Sequence, residues 1–235
     1  MRKVALITGT GGGIGKAVAE HLLREGYDVF GYSRKNTIQH SNFCFIRIDL
    51  RDLQKVKKLE LPTIKDKHVI LINNAAVIGD IMPLRLKKEQ SIIDEYNLNI
   101  ITPTLLCNKF INSYLDSEKL IINIGSGAAN TAIASWSTYC SSKSALDMLS
   151  RVLSEEKHKN LHVFSVHPGI VNTNMQNTIR NSQLTNFPKL QEFIDYHQKN
   201  ELEQVSVVAH KLYYIIQNFK KFSKNILSIR DIDIK

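Results

Sequence analysis

Tyr139 and Lys143 stand four residues apart and together carry the groups in this chain best suited to moving a proton. On a helix, positions i and i+4 share a face, so phenol and ammonium would lie side by side. A free phenol titrates near about 10 and is a poor acid–base catalyst at neutral pH. An adjacent ammonium stabilises the phenolate and draws that value toward the working range. A second stretch, Thr8-Gly9-Thr10-Gly11-Gly12-Gly13-Ile14-Gly15, has the makings of an anion site. Glycines let the backbone approach a pyrophosphate without a Cβ in the way. The N-terminus of a following helix adds unpaired N–H groups and the positive end of its dipole.

The elements around these residues are legible in the apolar pattern. Residues 4–7 are a short apolar run of strand length, and after the glycines Ala17, Val18, Leu22 and Leu23 recur at helical spacing. Strand, glycine turn and helix are the context in which such a turn binds phosphate. Further strands are predicted at 28–32, 43–48, 68–72, 120–124, 161–166 and 225–229. Helices are predicted over 53–59, from about 91 to 114, from 137 through Leu153, and over 205–219. Apolar strands alternating with amphipathic helices predict an α/β fold: a doubly wound parallel sheet of about seven strands, one Rossmann domain spanning 1–235. Right-handed crossovers would gather the functional loops at the carboxyl edge of the strands. Residues 172–200 read as irregular, and 174–200 as a lid over the site.

Composition narrows the class. The 235 residues, 43% hydrophobic and 23% charged, are those of an ordinary globular domain. No apolar run reaches the roughly 18 residues of a membrane span, so no membrane partner is expected. The chain enters a strand at once, so no signal peptide is expected. Cys44, Cys107 and Cys140 are few, odd in number and unclustered, which suits a reducing, cytoplasmic location. The eight histidines lack metal-ligand spacing, and no metal is expected. Net charge is +9, but the lysines (among them Lys55, Lys65, Lys67 and Lys87) are dispersed, with no aromatic-interleaved basic patch. A basic surface favouring anionic small molecules is expected rather than a nucleic-acid partner.

The motifs Thr8-Gly9-x-x-x-Gly13-Ile14-Gly15, Asn73-Asn74-Ala75-Ala76, Tyr139-x-x-x-Lys143 and Pro168-Gly169-x-x-x-Thr173 together resemble the short-chain dehydrogenase/reductase family, in order and spacing, over nearly the whole chain. The resemblance implies an oxidoreductase moving a hydride between a nicotinamide cofactor and a carbonyl or secondary alcohol of a small molecule. It makes Tyr139 the general acid and Lys143 its partner and a ribose ligand. Ser126, thirteen residues before Tyr139, would bind the substrate oxygen. Asn99, forty before it and in competition with Asn97, would maintain a water-linked proton path past the lysine. Cofactor contacts are implied at Gly9, Thr10, Gly13, Ile14, Gly15, Asn74 and Ala75, at Asp49 with Leu50 beside the adenine, and at Pro168, Gly169, Ile170 and Thr173.

Cofactor choice turns on the end of the second strand. A carboxylate there would hold both ribose hydroxyls of NAD and repel a 2′-phosphate. The chain has Ser33-Arg34-Lys35 instead, and Arg34 can pair a phosphate or stack on adenine, so NADP(H) is expected over NAD(H). The family's NADP-type members often carry a basic residue where Gly12 stands. Ala76 replaces the usual glycine and requires a negative φ. The C-terminus lacks the family's glycine-rich ending, so a homodimer through the long helices is as much expected as a tetramer. The substrate stays open among 3-oxoacyl thioesters, sugars, pterins and steroid-like ketones. Residues 79–84, 128–136 and the lid, with Met175, Phe187 and Phe193, are expected to line its pocket. The rival reading is a dinucleotide-binding sensor or scaffold without turnover, which would be expected to lose Tyr139 or Lys143.

Overall fold

The computed structural model describes residues 3–64 and 68–234; Lys65 and Lys67, two of the dispersed lysines, lie outside them. In chain order the elements are β1 (Lys3–Thr8), α1 (Gly13–Arg24), β2 (Asp28–Ser33), β3 (Phe43–Arg47), α2 (Leu53–Lys58), β4 (His68–Asn73), α3 (Glu89–Tyr96), α4 (Thr102–Ser113), β5 (Glu118–Ile124), α5 (Ser137–Glu155), β6 (Leu161–His167), α6 (Asn174–Arg180), α7 (Leu190–Gln198), α8 (Val205–Asn218) and β7 (Ile226–Ser228). The seven strands form one parallel sheet in the order β3-β2-β1-β4-β5-β6-β7. The direction of winding reverses between β1 and β4, and a ligand crevice opens at such a point.

Side chains alternate across a strand, and here both faces are covered. From β1, Ala5 and Ile7 enter the core layer holding Val18 and Leu22 of α1 and Leu212 and Ile215 of α8. Val4 and Leu6 enter the opposite layer, with Val56 of α2 and Leu106 and Phe110 of α4. Burial on both faces is why β1, β4 and β5 read as continuous apolar runs instead of alternating ones. No helix among the described residues is long and apolar enough to cross a membrane.

Two stretches differ from the sequence reading. The helix expected at 91–114 begins at Glu89 and carries a π-helical turn, Asn97–Ile101, between α3 and α4. The segment read as irregular contains α6 and α7. Neither helix has a side-chain cap, and both are short, so local signals for them are weak. Tertiary packing holds them: Ile179, Leu190 and Phe193 are buried in a third apolar cluster with Trp136, Tyr139 and Phe187.

Candidate active site

The glycine turn is shaped by contacts that leave no room for side chains. Gly9 has φ +78, a conformation costly for other residues. A Cβ on Gly15 would collide with the Asn74 amide and the Gly9 carbonyl. Thr8 pins the next strand end to this turn: its hydroxyl accepts from Asn74 N at 2.9 Å and Ala75 N at 3.0 Å. The Asn74 side chain donates back to Thr8 O at 2.9 Å. Gly12 is extended, and α1 has no side-chain cap and no acid in its first turn. Its N–H groups are therefore free for an anion. Ala76 is absent from the positive-φ residues, so the glycine usual at that place is not needed.

One cavity of about 1140 Å³ runs from this turn along the carboxyl edge of the sheet. Its walls include Gly9, Gly13 and Ile14; Ser33 and Arg34; Asp49 and Leu50; Asn74 and Ala75; Ser126, Tyr139 and Lys143; and Pro168, Gly169, Ile170 and Thr173. Nearly all the residues singled out in the sequence thus share one wall, although they come from the ends of six strands and from helices α1 and α5. Thr10, Gly15 and Asn99 do not line it. Thr10 is fully buried, with its hydroxyl 3.3 Å from Ser33 Oγ, and Gly15 acts by keeping clear of Gly9 and Asn74. The volume slightly exceeds that of drug-sized pockets, roughly 300–1,000 Å³. With the glycine cradle and the uncapped helix end, it fits an elongated ligand bearing a diphosphate.

At the end of the cavity beside β2 and β3 Arg34 is exposed, and its charge helps to hold the Asp49 carboxyl low. The larger cause is Arg51, which the sequence reading missed. Arg51 Nη2 meets Asp49 Oδ2 at 2.7 Å and Nε meets Oδ1 at 3.1 Å, while Nη1 reaches Asp94 at 3.2 Å. These bonds hold the Asp49 carboxyl down at about 2. Arg51 lines the cavity and competes for the carboxylate expected to face adenine. Its place next to Asp49-Leu50 was the only local signal; Asp94 is brought in by the fold.

At the other end α5 presents Tyr139 and Lys143 one turn apart, with Lys143 Nζ 5.8 Å from the phenol ring centre. Lys143 donates to the Ile124 carbonyl at 2.7 Å. Burial lowers its ammonium to about 8, opposed by the nearby Asp147 carboxylate. Burial also pushes the Tyr139 phenol up to about 12, opposed by the neighbouring Ser126 hydroxyl. The sequence reading expected the ammonium to bring this phenol down. In the folded chain, desolvation of Tyr139, 7% exposed, is the larger effect. Asp147 accepts from Ser165 Oγ at 2.6 Å and pairs with His167 Nε2 at 2.9 Å.

The π turn sends the two asparagines in different directions. Asn99 is buried: its Oδ1 accepts from Val77 N at 2.9 Å, and its Nδ2 donates to Val77 O at 2.8 Å and to Ser142 Oγ at 3.2 Å. Asn97 turns away and donates to Arg51 O at 3.2 Å. Asn99 thus grips the loop after β4 and the residue before Lys143.

The remaining wall is aromatic. Trp136 stacks on Phe187, with ring centres 5.5 Å apart, and meets Phe193 at 5.3 Å and Tyr139 at 5.6 Å. Met175, Ile179, Phe193 and Tyr196 of α6 and α7 face the same cavity. Phe187, expected in the lining, is fully buried behind Trp136. Of residues 79–84 only Gly79 lines the cavity; Leu84 is 57% exposed. Cys140 directs its thiol to the Thr131 carbonyl at 3.6 Å. Both ends of the α6–α7 segment are tied together, Asn172 N to Glu203 O and Glu203 N to Ile170 O, each at 2.9 Å.

The pattern defining the short chain dehydrogenase family matches residues 3–184. A benzil reductase forming (S)-benzoin, from Bacillus subtilis (strain 168), is 30% identical over 228 residues, covering 90% of this chain and 92% of that protein. An NADPH-dependent pterin aldehyde reductase of Arabidopsis thaliana is 26% identical over 185 residues, 74% of this chain and 76% of that one. The crystal structure of a short-chain dehydrogenase/reductase from Saccharomyces cerevisiae superposes with a TM-score of 0.86 at 25% identity, covering 97% of this chain and 96% of the other. With the parallel sheet and the cavity at its carboxyl edge, these matches make the chain a member of the short-chain dehydrogenase/reductase family, an oxidoreductase that acts on carbonyl or alcohol groups with a nicotinamide cofactor.

Proposed function

We propose that the chain reduces a carbonyl of a small, planar, largely apolar molecule using NADPH, with Tyr139 as the general acid. The observation that carries this reading is the placement of Ser126 and Tyr139 in one wall of the cavity, with the Ser126 hydroxyl near enough to act on the phenol. Two hydroxyls in one wall offer a carbonyl oxygen two donors, an arrangement that stabilises charge developing on that oxygen. A phenol held up at about 12 is protonated at neutral pH, the state that reduction requires. Tyr139 donates this proton to the substrate oxygen while Ser126 orients that oxygen. Lys143 binds the nicotinamide ribose and returns a proton to Tyr139. Asn99 does not reach the cavity, and acts by holding Val77 and Ser142 in place. Bound NADPH supplies the hydride.

The glycine turn with Asn74 and Ala75 takes the diphosphate side, and residues 168–173 take the carboxamide. Arg34, exposed at the end of β2 with no carboxylate at that strand end, favours the 2′-phosphate. One relative, the Arabidopsis reductase, is NADPH-dependent by name. The aromatic wall of Trp136, Phe193 and Tyr196 suits a flat substrate. Two relatives are named for aryl diketone and pterin substrates. The α6–α7 segment serves as the lid. Ile101, Met148 and Val152 are 38%, 54% and 46% exposed beside α4 and on α5, a face suited to a second copy of the chain. The free cysteines suit a cytoplasmic location.

The test is NADPH oxidation with benzil, a pterin aldehyde, and an aliphatic ketone of similar size. Turnover of the aromatic carbonyls with Tyr139→Phe inactive supports the reading. Tight NADPH binding with no turnover of any carbonyl would favour a sensor or scaffold.

A further inference from the structure

One buried charge cluster lies outside the cavity yet touches the catalytic helix. Lys87, just before α3, places its Nζ 3.2 Å from Glu95 Oε2, and neither side chain has any exposure. The same ammonium donates to Thr138 Oγ1 at 2.5 Å, and the Thr138 hydroxyl donates to Glu95. Thr138 precedes Tyr139 in the first turn of α5. The same carboxylate oxygen of Glu95 also meets the cavity wall: a Cβ on Gly79 would collide with it. Gly79 itself lines the cavity. Three separate pieces of chain are therefore tied at one point: the loop after β4, α3 with the turn before it, and the start of α5.

Stability alone gives little reason for such a cluster, since a well-packed apolar trio would hold the same pieces at least as firmly. Hydrogen bonds and charge add direction, which an apolar contact lacks. We infer that Lys87, Glu95 and Thr138 are positioning residues for the reductase reaction, fixing Tyr139 relative to the cavity wall at Gly79. The inference rests on the reading of Tyr139 as the acid.

A second consequence is electrostatic. Glu95 from α3 and Cys140 and Lys143 from α5 face Tyr139 directly; Lys87 and Asp80, from the loop before α3, act on Glu95, and Asp147, paired with His167, acts on Lys143. The Glu95 carboxylate favours the protonated phenol. Neutralising Glu95 removes that effect, so the phenol would lose its proton at lower pH.

The experiment uses the full chain with NADPH and a carbonyl it reduces, and compares Glu95→Gln, Thr138→Val, Thr138→Ser and Tyr139→Phe. Thr138→Val removes one hydroxyl and leaves the Lys87–Glu95 pair in place. It is expected to lower kcat about tenfold with KM and the NADPH Kd within about twofold, while Thr138→Ser restores the rate. Glu95→Gln is expected to move the alkaline limb of the kcat profile, which reports Tyr139 in the loaded enzyme and not Lys143 of the free one, to lower pH by about half a unit or more. Should Glu95→Gln fail to fold, the Thr138 pair decides alone. Wild-type kcat in Thr138→Val, or a folded Glu95→Gln with an unmoved limb, overturns the inference. Activity in Tyr139→Phe would instead remove the acid assignment beneath it, and the positioning role with it.

Discussion

Lys143 lies one helical turn beyond Tyr139, yet its ammonium bonds the Ile124 carbonyl at 2.7 Å and stands 5.8 Å from the phenol ring centre. The two groups are neighbours without being an ion pair. Burial drives them in opposite directions, the phenol up to about 12 and the ammonium down to about 8. Each is thereby biased toward its uncharged form, as expected for ionisable groups in an apolar pocket.

Replacing Tyr139 with Phe keeps the ring against Trp136 and removes only the hydroxyl. Loss of a general acid costs on the order of 10²–10⁴ in rate. The reductase kcat of Tyr139→Phe should fall by that factor, with the NADPH Kd from calorimetry unchanged within about twofold.

The Lys143 value sets a pH window. Its ammonium is held at about 8, so the charged form is lost as pH rises through that value. The kcat/KM for cofactor, which reports the free enzyme, should decline above pH about 8. Asp147 raises the Lys143 value, so Asp147→Asn should shift the decline to lower pH. A profile unaffected by Asp147→Asn would separate the limb from Lys143.

Arg34 is assigned the 2′-phosphate. Parallel titrations should give NADPH binding at least tenfold tighter than NADH, about 1.4 kcal/mol. Arg34→Ala should remove most of that preference while leaving NADH binding nearly unchanged. Equal affinities in the wild type would mean that Arg34 points elsewhere. Trp136, the sole tryptophan, lines the cavity and offers a fluorescence readout.

Thr8 is a test of the cradle. Thr8→Val keeps the shape of a side chain that is only 3% exposed, but strands the Asn74 and Ala75 N–H groups. Leaving a fully buried donor unpaired costs about 1–3 kcal/mol, and for these half-buried groups the lower part of that range is expected. For a chain of this size each kcal/mol lowers Tm by about 2–4 °C. Thermal unfolding should show that drop, together with weaker NADPH binding.

The sequence by itself determined the sheet and brought most of the candidate site residues to notice. Strands buried on both faces are apolar throughout, and glycines where chains approach closely, as at Gly9 and Gly15, are local and hard to replace. A four-residue spacing on one helix likewise brought Tyr139 and Lys143 together before any fold was known. Tertiary structure alone decided what depends on partners far apart in the chain. Arg51 is held by Asp94, and Lys87 and Glu95 by Thr138, contacts that no local pattern announces. The short helices α6 and α7 exist because Ile179 and Phe193 are buried beside Trp136, not because their own residues favour helix. The π turn that sends Asn99 inward and Asn97 outward has no signature in the residues around it. Desolvation belongs to the same class: the Tyr139 phenol is pushed up because the folded chain surrounds it, and no property of its neighbours in sequence contains that fact.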